Sequence, residues 1–355
     1  MNILALNAGS TSLKFRFGPA EGRSLHTGAA QGFGTPTAKL QITDASKTVV
    51  YVSVPDTLQG AARSVLEFFH AGKPPVAAIG HRFVHGGPAL RAHRRIDSDV
   101  RAQLQEASAF APLHNPPALE VLALAEELFP GTFQVACLDT AFHATMPETS
   151  TRLPLPRERL AGGLMRYGFH GLSCESIVRQ LGNPPSRLVI AHLGGGASVT
   201  AVHDGCSIDT TMGLTPDGGV MMETRSGDLD PGLLLYLLRH GETPESLEKM
   251  LNNASGIAGV SGGSGDPREL ANNAKADATL ALDMFTISIA KAIAGMAAVL
   301  GGMDMLVFTG GIGEHDVKIR TSITAHLGFI GGYITKVMGA DEELEIIQHT
   351  AKLLR

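Results

Sequence analysis

Cysteine is scarce in this chain, and its spacing excludes two common structural devices. The three cysteines, Cys137, Cys174 and Cys206, are an odd number, and no two of them form a C-x-x-C pair. Neither a disulfide framework nor a zinc site is therefore indicated, and the 14 histidines show none of the zinc-protease spacings. Because unpaired cysteines fit a reducing compartment, we expect a cytoplasmic protein.

Long hydrophobic runs and a strong net charge are also missing. The longest apolar stretch, around residues 286–300, contains Lys291 and falls short of the roughly 18 residues that cross a bilayer, so it predicts a buried helix. The N-terminus enters a strand pattern without a basic leader, so we expect no signal peptide. A net charge of -5 argues against nucleic-acid and membrane partners. A composition that is 44% hydrophobic and 18% charged predicts a globular chain.

The length of 355 residues predicts two domains, over residues 1–150 and 151–355, and the strand and helix patterns predict an α/β chain. Part of the C-terminal helix is expected to pack back on the first domain. The remaining patterns predict strands at Ile3–Leu6, 13–17, Lys39–Ile42, Val49–Val54, 76–83, 133–139, 187–193, 197–203 and 305–309, and helices at Gly60–Ala71, Gly232–Arg239 and Ala276–Leu300. A further helix is predicted to have Asn115 as its cap, to open with Pro116 and Pro117 and to end before Pro130. The apolar face of the tail helix is expected to comprise Leu344, Ile347, Ala351 and Leu354.

Three glycine-rich turns each follow an apolar strand pattern, at Gly9–Ser12, Gly194–Gly196 and Gly310–Gly313. Glycine permits positive φ and has no Cβ, so consecutive N–H groups are able to converge on phosphate oxygens. One such turn is usually a simple hairpin, but three at strand ends favour a polyphosphate ligand. A Walker A motif is absent, and "TGGIGE" lacks the rest of a dinucleotide fingerprint, so ATP is favoured.

The first two of these turns suggest that the chain has two related halves. Aligning Gly9 with Gly194 superimposes two strand–turn–strand units and places Asn7 on His192. The similarity is weak as sequence, but it predicts that each half offers a glycine turn to a shared cleft.

Four polar residues lie at predicted strand ends or in glycine-rich loops. Asp139 closes an apolar strand, where a buried carboxylate must be paired, bound to metal or catalytic. Arg82 and Arg225 suit carboxylate or phosphate binding, and His170 in "RYGFHGLS" is the best candidate for a catalytic histidine. Each alone has an ordinary structural explanation. Together with three phosphate turns, they match the requirements of phosphoryl transfer, which needs positive charge on the phosphoryl oxygens.

Eleven collinear motifs give the chain a specific resemblance. They read "LNAGSTSLKF", "GHRFVHGG", "APLHNP", "DTAFHATMP", "RYGFHGLS", "HLGGGASV", "TMGLTP", "TRSGDLDP", "SGIAGVSG", "LVFTGGIGE" and "DEEL". On these motifs the chain resembles the acetate kinase family of acetate and propionate kinases over nearly its whole length.

The resemblance implies a fold, a reaction and an assembly. The fold would be α/β, with two ribonuclease-H-like domains around a nucleotide cleft, as in actin-like ATPases and sugar kinases. The reaction would be reversible in-line transfer of the γ-phosphoryl of ATP to acetate, or to propionate, giving the acyl phosphate and ADP with Mg²⁺ or Mn²⁺. The assembly would be a homodimer formed through the second domain.

The resemblance also assigns site residues. The catalytic residues would be Asp139, His170 and Arg225, and the metal ligands would be Asn7 and Glu342. The carboxylate substrate would contact Arg82, Val84, Leu113, Phe169 and Pro216. The nucleotide would contact Lys14, His192, Leu193, Gly194, Gly195, Gly196, Asp266, Pro267, Arg268, Gly310, Gly311, Ile312, Gly313 and Glu314.

Four departures from the family pattern keep other interpretations open. Gly195 replaces an Asn, which removes a side-chain donor, and Glu223 replaces a Gly, where it could pair with Arg225 or point into solvent. Leu172 and Cys174 replace Thr and His, and the connection before "DEEL" is short. The alternatives are a nucleotide-binding relative with weak or lost activity, a kinase that prefers propionate or butyrate, and a conformational ATPase.

Overall fold

The computed structural model describes residues 1–9, 12–72, 74–270 and 275–355. The chain forms two compact units, one of Met1–Phe142 with Asp341–Arg355 and one of His143–Ala340. The first unit thus ends before residue 150. The last fifteen residues, 341–355, belong entirely to it, because the C-terminal helix packs on the strands of the first sheet.

The described residues contain thirteen strands and thirteen α-helices. The strands are β1 Asn2–Ala8, β2 Ser12–Pro19, β3 His26–Gln31, β4 Lys39–Asp44, β5 Val49–Ser53, β6 Ala78–Phe83, β7 Arg94–Arg95, β8 Phe133–Leu138, β9 Arg187–Leu193, β10 Ala197–His203, β11 Cys206–Thr210, β12 Met305–Thr309 and β13 Ile334–Val337. The helices are α1 Leu58–Ala71, α2 Ser98–Ala107, α3 Asn115–Leu128, α4 Glu148–Thr151, α5 Gly171–Leu181, α6 Pro231–Arg239, α7 Pro244–Asn253, α8 Gly256–Ser261, α9 Pro267–Leu270, α10 Ala276–Leu300, α11 Gly310–His315, α12 Val317–Ala325 and α13 Glu342–Leu354.

The two sheets share one strand arrangement. The first has the order β5-β4-β3-β2-β1-β6-β8-β7 and the second has the order β11-β10-β9-β12-β13. In the first, β1, β2 and β3 form an antiparallel meander, and β6 and β8 continue parallel to β1. In the second, β9, β10 and β11 form the meander, and β12 and β13 continue parallel to β9. Both units are therefore ribonuclease-H-like, and the predicted relation between the two halves is confirmed.

The core of the first unit lies between its sheet and helices α1 and α3. The alternating side chains Leu13, Phe15 and Phe17 of β2 are buried against the apolar face of α1, which includes Leu66 and Phe69. Thr57 caps α1 by accepting a hydrogen bond from the Gly60 amide at 3.0 Å. The predicted helix over Gly60–Ala71 is therefore confirmed, with one further half-turn before it.

Two local predictions were wrong, and a third was right only in part. Asn115 does not cap α3, because its side chain instead bonds the backbone of His85, and His114 is the N-cap residue. The "GGIGE" segment is the short helix α11 and not a turn. In α13, predicted Ile347 is buried and predicted Leu344, Ala351 and Leu354 are partly buried, but the buried residues also include Glu345, Ile346 and Thr350, which were not predicted.

Helix α10 is buried along one face, on which Ala281, Phe285, Ile289 and Ile293 recur at helical spacing. The expectation that this stretch is too short to cross a bilayer is wrong, because the length and composition of α10 alone would suffice for a membrane span, with 39% of its most apolar window buried. Since core helices of soluble proteins often meet the same criterion, this similarity is weak evidence.

Candidate active site

The first unit brings three predicted polar residues together at one sheet edge. Strands β1, β6 and β8 are parallel neighbours, so Asn7, Arg82 and Asp139 emerge where these strands end. The Arg82 Nη1 atom donates to Asn7 Oδ1 at 3.2 Å. Its Nε and Nη2 atoms both donate to Asp139 Oδ2, at 2.9 Å and 2.5 Å. Asp139 is 1% exposed, so its carboxylate acts as a buried counter-ion that orients the guanidinium.

The charge on Arg82 is secured by its neighbours. Burial alone would lower the pKa of Arg82, but the charges of Asp139 and Glu342, the hydrogen bonds to Asp139 and the charge of Glu343 together raise it. The guanidinium is therefore a permanent cation beside the ends of β1 and β8, as the binding of an anionic substrate requires.

The N-terminus of α13 adds two carboxylates to the same edge. Asp341 caps the helix through the Leu344 amide and forms an ion pair of 2.6 Å with Arg16. The Asn7 Nδ2 atom donates to Glu342 Oε2 at 3.0 Å and to Glu343 Oε1 at 2.7 Å. The short connection after β13 thus still delivers Glu342 to the side chain of Asn7.

Glu343 was not among the predicted site residues. Burial first and then the charge of Glu342 raise its pKa, and the hydrogen bond from Asn7 and the charge of Lys14 offset only part of this effect. The sequence signal that could have identified Glu343 was its place in "DEEL", directly after the predicted metal ligand Glu342.

Magnesium or manganese fits this donor set. Glu342 and Glu343 offer hard carboxylate oxygens, and their mutual repulsion would be relieved by a divalent cation. The Asn7 Oδ1 atom accepts from Arg82 and the Nδ2 atom faces the two carboxylates, so Asn7 would offer its oxygen to the metal only after its amide turns over.

Lys14 is the residue of this unit that was predicted to contact the nucleotide. It lies on β2 directly opposite Asn7 of β1 in the strand register, and its side chain is exposed. Ser10 and Thr11 of the predicted Gly9–Ser12 turn lie outside the described residues.

In the second unit, two histidines stack beside the β9–β10 hairpin. The rings of His170 and His192 are 4.2 Å apart between centroids and nearly parallel, at 22°. His170 precedes α5 with a left-handed φ of 58°, and its Nδ1 lies 2.9 Å from Ser198 Oγ. The His192 Nδ1 atom lies 2.8 Å from Ser173 Oγ. Each ring is thus held at Nδ1 by a serine, which fixes the direction of its Nε2 atom.

The Gly194–Gly196 turn is closed by a hydrogen bond from the Gly194 amide to the Gly196 carbonyl, of 3.0 Å. A Cβ on Gly196 would lie 3.2 Å from His170 Nε2 and 3.5 Å from Arg225 Nη1. The predicted histidine and arginine therefore converge on the predicted phosphate turn.

The start of α11 borders the same turn. Gly310 has a φ of 79°, and a Cβ there would lie 2.6 Å from the Leu193 carbonyl oxygen, so only glycine fits. The Gly311 amide nitrogen lies 3.8 Å from the position of a Cβ on Gly194. Ile312 and Gly313 are buried behind this contact, and Glu314 accepts a hydrogen bond from the Gly310 amide.

Arg225 is positioned by the loop that contains Pro216. Its Nη1 atom donates to the Pro216 carbonyl at 3.0 Å, and its Nε atom lies 3.9 Å from Asp217 Oδ1. Burial raises the pKa of Asp217, and Arg225 opposes that shift. The suggested pairing of Glu223 with Arg225 is therefore wrong, because Asp217 takes that place. Asp217 was missed by the sequence, although it directly follows the predicted Pro216.

The remaining nucleotide candidates of this unit form a tight pair. Arg268 donates to both carboxylate oxygens of Asp266, from Nε at 2.9 Å and 3.1 Å and from Nη2 at 2.5 Å. The hydrogen bonds from Arg268 lower the pKa of Asp266. Pro267 is buried at the start of α9, so it supports the pair from within the fold.

The four predicted acid-pocket residues are divided between the units. Val84 is buried after β6, and Leu113 is 43% exposed before α3. Phe169 and Pro216 are buried next to His170 and Asp217 in the second unit. Leu172 and Cys174, two of the departures from the family pattern, are buried in α5, with Cys174 contacting Thr200.

Comparison with known proteins identifies the family of the chain. A model of the Acetokinase family matches residues 2–350. The chain is 39% identical to an acetate kinase of Thermosynechococcus vestitus over 363 residues, which cover 93% of this chain and 88% of that protein. It is also 39% identical to a propionate kinase of Escherichia fergusonii over 350 residues, which cover 93% of this chain and 86% of that protein. A crystal structure of a propionate kinase from Francisella tularensis superimposes with a TM-score of 0.91 at 35% identity and covers 99% of both chains. The chain belongs to the acetokinase family.

Proposed function

We propose that this kinase transfers the γ-phosphoryl group of ATP reversibly to acetate, which gives acetyl phosphate and ADP in the cytoplasm. The observation that carries the proposal is the convergence of His170 Nε2 and Arg225 Nη1 on Gly196. Two potential cations at a glycine turn place positive charge where phosphoryl oxygens bind, and phosphoryl transfer requires this above all.

The second unit binds the nucleotide in this proposal. The turn from His192 to Gly196 and the first residues of α11 hold its phosphates through backbone amides, and Asp266–Arg268 contact the rest of it. His170 and Arg225 stabilise the charge on the phosphoryl group during transfer.

The first unit binds the acid and the metal. Arg82 orients the acetate carboxylate, which is itself a competent nucleophile, so no strong general base is needed. Asp139 keeps the guanidinium of Arg82 in place through the two hydrogen bonds it accepts. Asn7 and Glu342, with Glu343 beside them, hold Mg²⁺ or Mn²⁺, which supplies charge neutralisation for the nucleotide phosphates when bound.

A coupled assay of ADP formation with acetate, propionate and butyrate tests the proposal. Turnover that requires an acid supports a carboxylate kinase. Turnover without an acid would instead indicate a conformational ATPase, and ATP binding without any turnover would indicate an inactive relative. Arg82→Ala should raise KM for the acid far more than KM for ATP, whereas Arg225→Ala should mainly lower kcat.

Propionate is the second candidate substrate, because relatives named for either acid are equally similar in sequence. One methylene group in an apolar pocket changes the selectivity by only about 1–3 kcal/mol. Measured values of kcat/KM for the two acids therefore decide between them. A kcat/KM for propionate that exceeds the kcat/KM for acetate would overturn the choice of acetate.

We also propose a homodimer formed through the second unit. No residue of α6 is buried, and its leucines and tyrosine are exposed on several sides, with Leu235 at 51% and Tyr236 at 57%. Neighbouring Leu229 is 41% exposed, so the apolar surface continues beyond the helix. Light scattering should give twice the chain mass, and Leu235→Glu should shift the protein toward the monomer. An unchanged mass in that variant would contradict the use of α6.

A further inference from the structure

The exposed residue of the phosphate turn has an acidic neighbour. Gly195 has no side chain, and the Glu223 carboxylate lies in contact distance of the position where such a side chain would begin. Its Oε2 and Cδ atoms are 3.4 Å and 3.8 Å from the position of a Cβ on Gly195. The donor that an Asn would supply at residue 195 is therefore missing, and a carboxyl group stands next to the same space.

The fold holds Glu223 in this position. Its backbone carbonyl accepts a hydrogen bond from the Ala258 amide at 2.9 Å. On the other side, Gly265 packs so closely that a Cβ there would lie 2.7 Å from the Glu223 carbonyl oxygen and 3.2 Å from its Cβ. The side chain thus leaves a fixed backbone and is directed at the turn.

The carboxylate of Glu223 is poorly compensated. Within the described residues it makes no hydrogen bond and no ion pair. Burial first, and then the charge of Asp266, raise its pKa. Arg268 opposes this shift, but the guanidinium of Arg268 is already held by Asp266.

Other charged and titratable groups lie across the turn. His170 Nε2 and Arg225 Nη1 border Gly196, and His192 Nε2 lies 3.8 Å from the position of a Cβ on Gly194. These groups attract phosphate to the same place. An ionised Glu223 would face that phosphate as a like charge, whereas a neutral carboxyl group would offer it an O–H donor.

We propose that Glu223 makes nucleotide binding dependent on a proton, because its carboxyl group binds in the neutral form and donates a hydrogen bond to a phosphate oxygen beside Gly195. The proton is taken from solvent and remains on Glu223 while the nucleotide is bound. This inference rests on the proposed function, since it requires the Gly194–Gly196 turn to hold phosphates.

Calorimetric titration of the full chain with Mg-ATP tests the inference. Measurements at several pH values, each in two buffers of different ionisation enthalpy, give both the affinity and the number of protons taken up. The wild-type chain should take up more protons than Glu223→Gln. Its affinity should fall with rising pH by up to about tenfold per pH unit relative to that variant, the limit for one linked proton. Ionisation of ATP itself is common to both proteins and cancels in the comparison.

Glu269→Gln is the matched control. Glu269 is also acidic and lies close to Arg268, but it is exposed on α9 and is not beside the turn. Its variant should keep the proton uptake of the wild-type chain. Equal uptake in wild-type and Glu223→Gln proteins, or a loss of uptake in Glu269→Gln, would overturn the inference.

A double substitution provides a second test. Gly195→Asn alone should not strengthen ATP binding, because the new amide would pair with the Glu223 carboxyl group, whose Oε2 lies 3.4 Å from the new Cβ position, and not with phosphate. In a Glu223→Gly background, Gly195→Asn should strengthen ATP binding, and this binding should no longer be accompanied by the uptake of the proton assigned to Glu223. Additive effects would contradict the proposed pairing of residues 195 and 223. If the wild-type chain bound no ATP at any pH, the proposed function would fall too, whereas proton-independent binding would remove this inference alone.

Discussion

At the scale of single residues, the candidate site depends on side chains that orient the predicted catalytic residues. Ser198 lies next to His170 Nδ1, and Asp217 lies next to Arg225 Nε. Sequence reasoning found His170 and Arg225 because their motifs are distinctive. It missed Ser198 and Asp217, because a serine in a strand or an aspartate in a loop carries no signal until the fold brings it to its partner.

Ser198→Ala should show what orientation of His170 contributes. Loss of one hydrogen bond of this kind costs about 0.5–1.5 kcal/mol, so kcat should fall roughly two- to tenfold. The affinity for ATP should change little, because the backbone turn remains. Steady-state kinetics and direct titration measure the two quantities, and Ser198→Thr, which keeps a hydroxyl group, should recover part of kcat. A weakened affinity with unchanged kcat would assign Ser198 to binding.

His81 should make stability depend on pH. His81 lies in β6 and is 2% exposed, and its Nε2 atom is 2.6 Å from Oε1 of Gln134 in the neighbouring strand β8. Burial lowers the pKa of His81 to about 4. In the unfolded chain the same group takes up its proton near its ordinary value of 6.5. The unfolded state therefore binds more protons between these values, and the free energy of unfolding should decrease by about 3 kcal/mol as the pH falls from 6.5 to 4.

Urea unfolding at several pH values checks this expectation. All other ionisable groups are shared by the wild-type chain and His81→Gln, so the difference in pH slope isolates His81. The variant should be less stable at neutral pH but should have a flatter slope below 6.5. Identical slopes would contradict the expected role of His81.

At the scale of elements, the sequence predicted most strands and the long helices, because their hydrophobic periods are regular. It missed β3, whose sequence HTGAAQ has little apolar content and is set by pairing with β2 and β4. It predicted a turn at α11, because four of the first five residues there are glycine or acidic. Such segments take their structure from neighbours distant in sequence.

Helix α13 belongs to the candidate metal site through its first turn. Glu342 and Glu343 both accept from Asn7, and the two carboxylates repel each other. Glu343→Gln removes one negative charge and should raise the Mg²⁺ concentration needed for half-maximal activity several-fold. Glu345→Gln would be a poor control because Glu345 is buried, whereas exposed Glu127 on α3 offers a suitable one. Kinetics as a function of Mg²⁺ measure the change, and an unchanged requirement would exclude Glu343 from the metal site.

At the scale of the whole molecule, the first unit is built from two separate parts of the chain, residues 1–142 and residues 341–355. Helix α13 packs on β1, β6 and β8, so the first fold is completed only by the last fifteen residues, 341–355. Composition and length suggested two domains, but they could not show that one of them is discontinuous. That property depends on which surface the tail helix covers. Only part of this helix was expected to pack back on the first domain, whereas residues 341–355 all belong to it.

Gly80 tests this closure. It lies in β6 beneath α13, where a Cβ would come within 2.3 Å of Thr350 Oγ1 and 2.5 Å of Ile346 Cγ2. Gly80→Ala should therefore destabilise the protein by about 1–3 kcal/mol, the usual cost of overpacking a core. Gly295→Ala is the matched control, because Gly295 lies in α10 with open space around its Cβ position, and this change should stabilise the helix by about 0.5–1 kcal/mol. Urea unfolding measures both shifts, and equal stability of the two variants would show that α13 does not seal the first sheet.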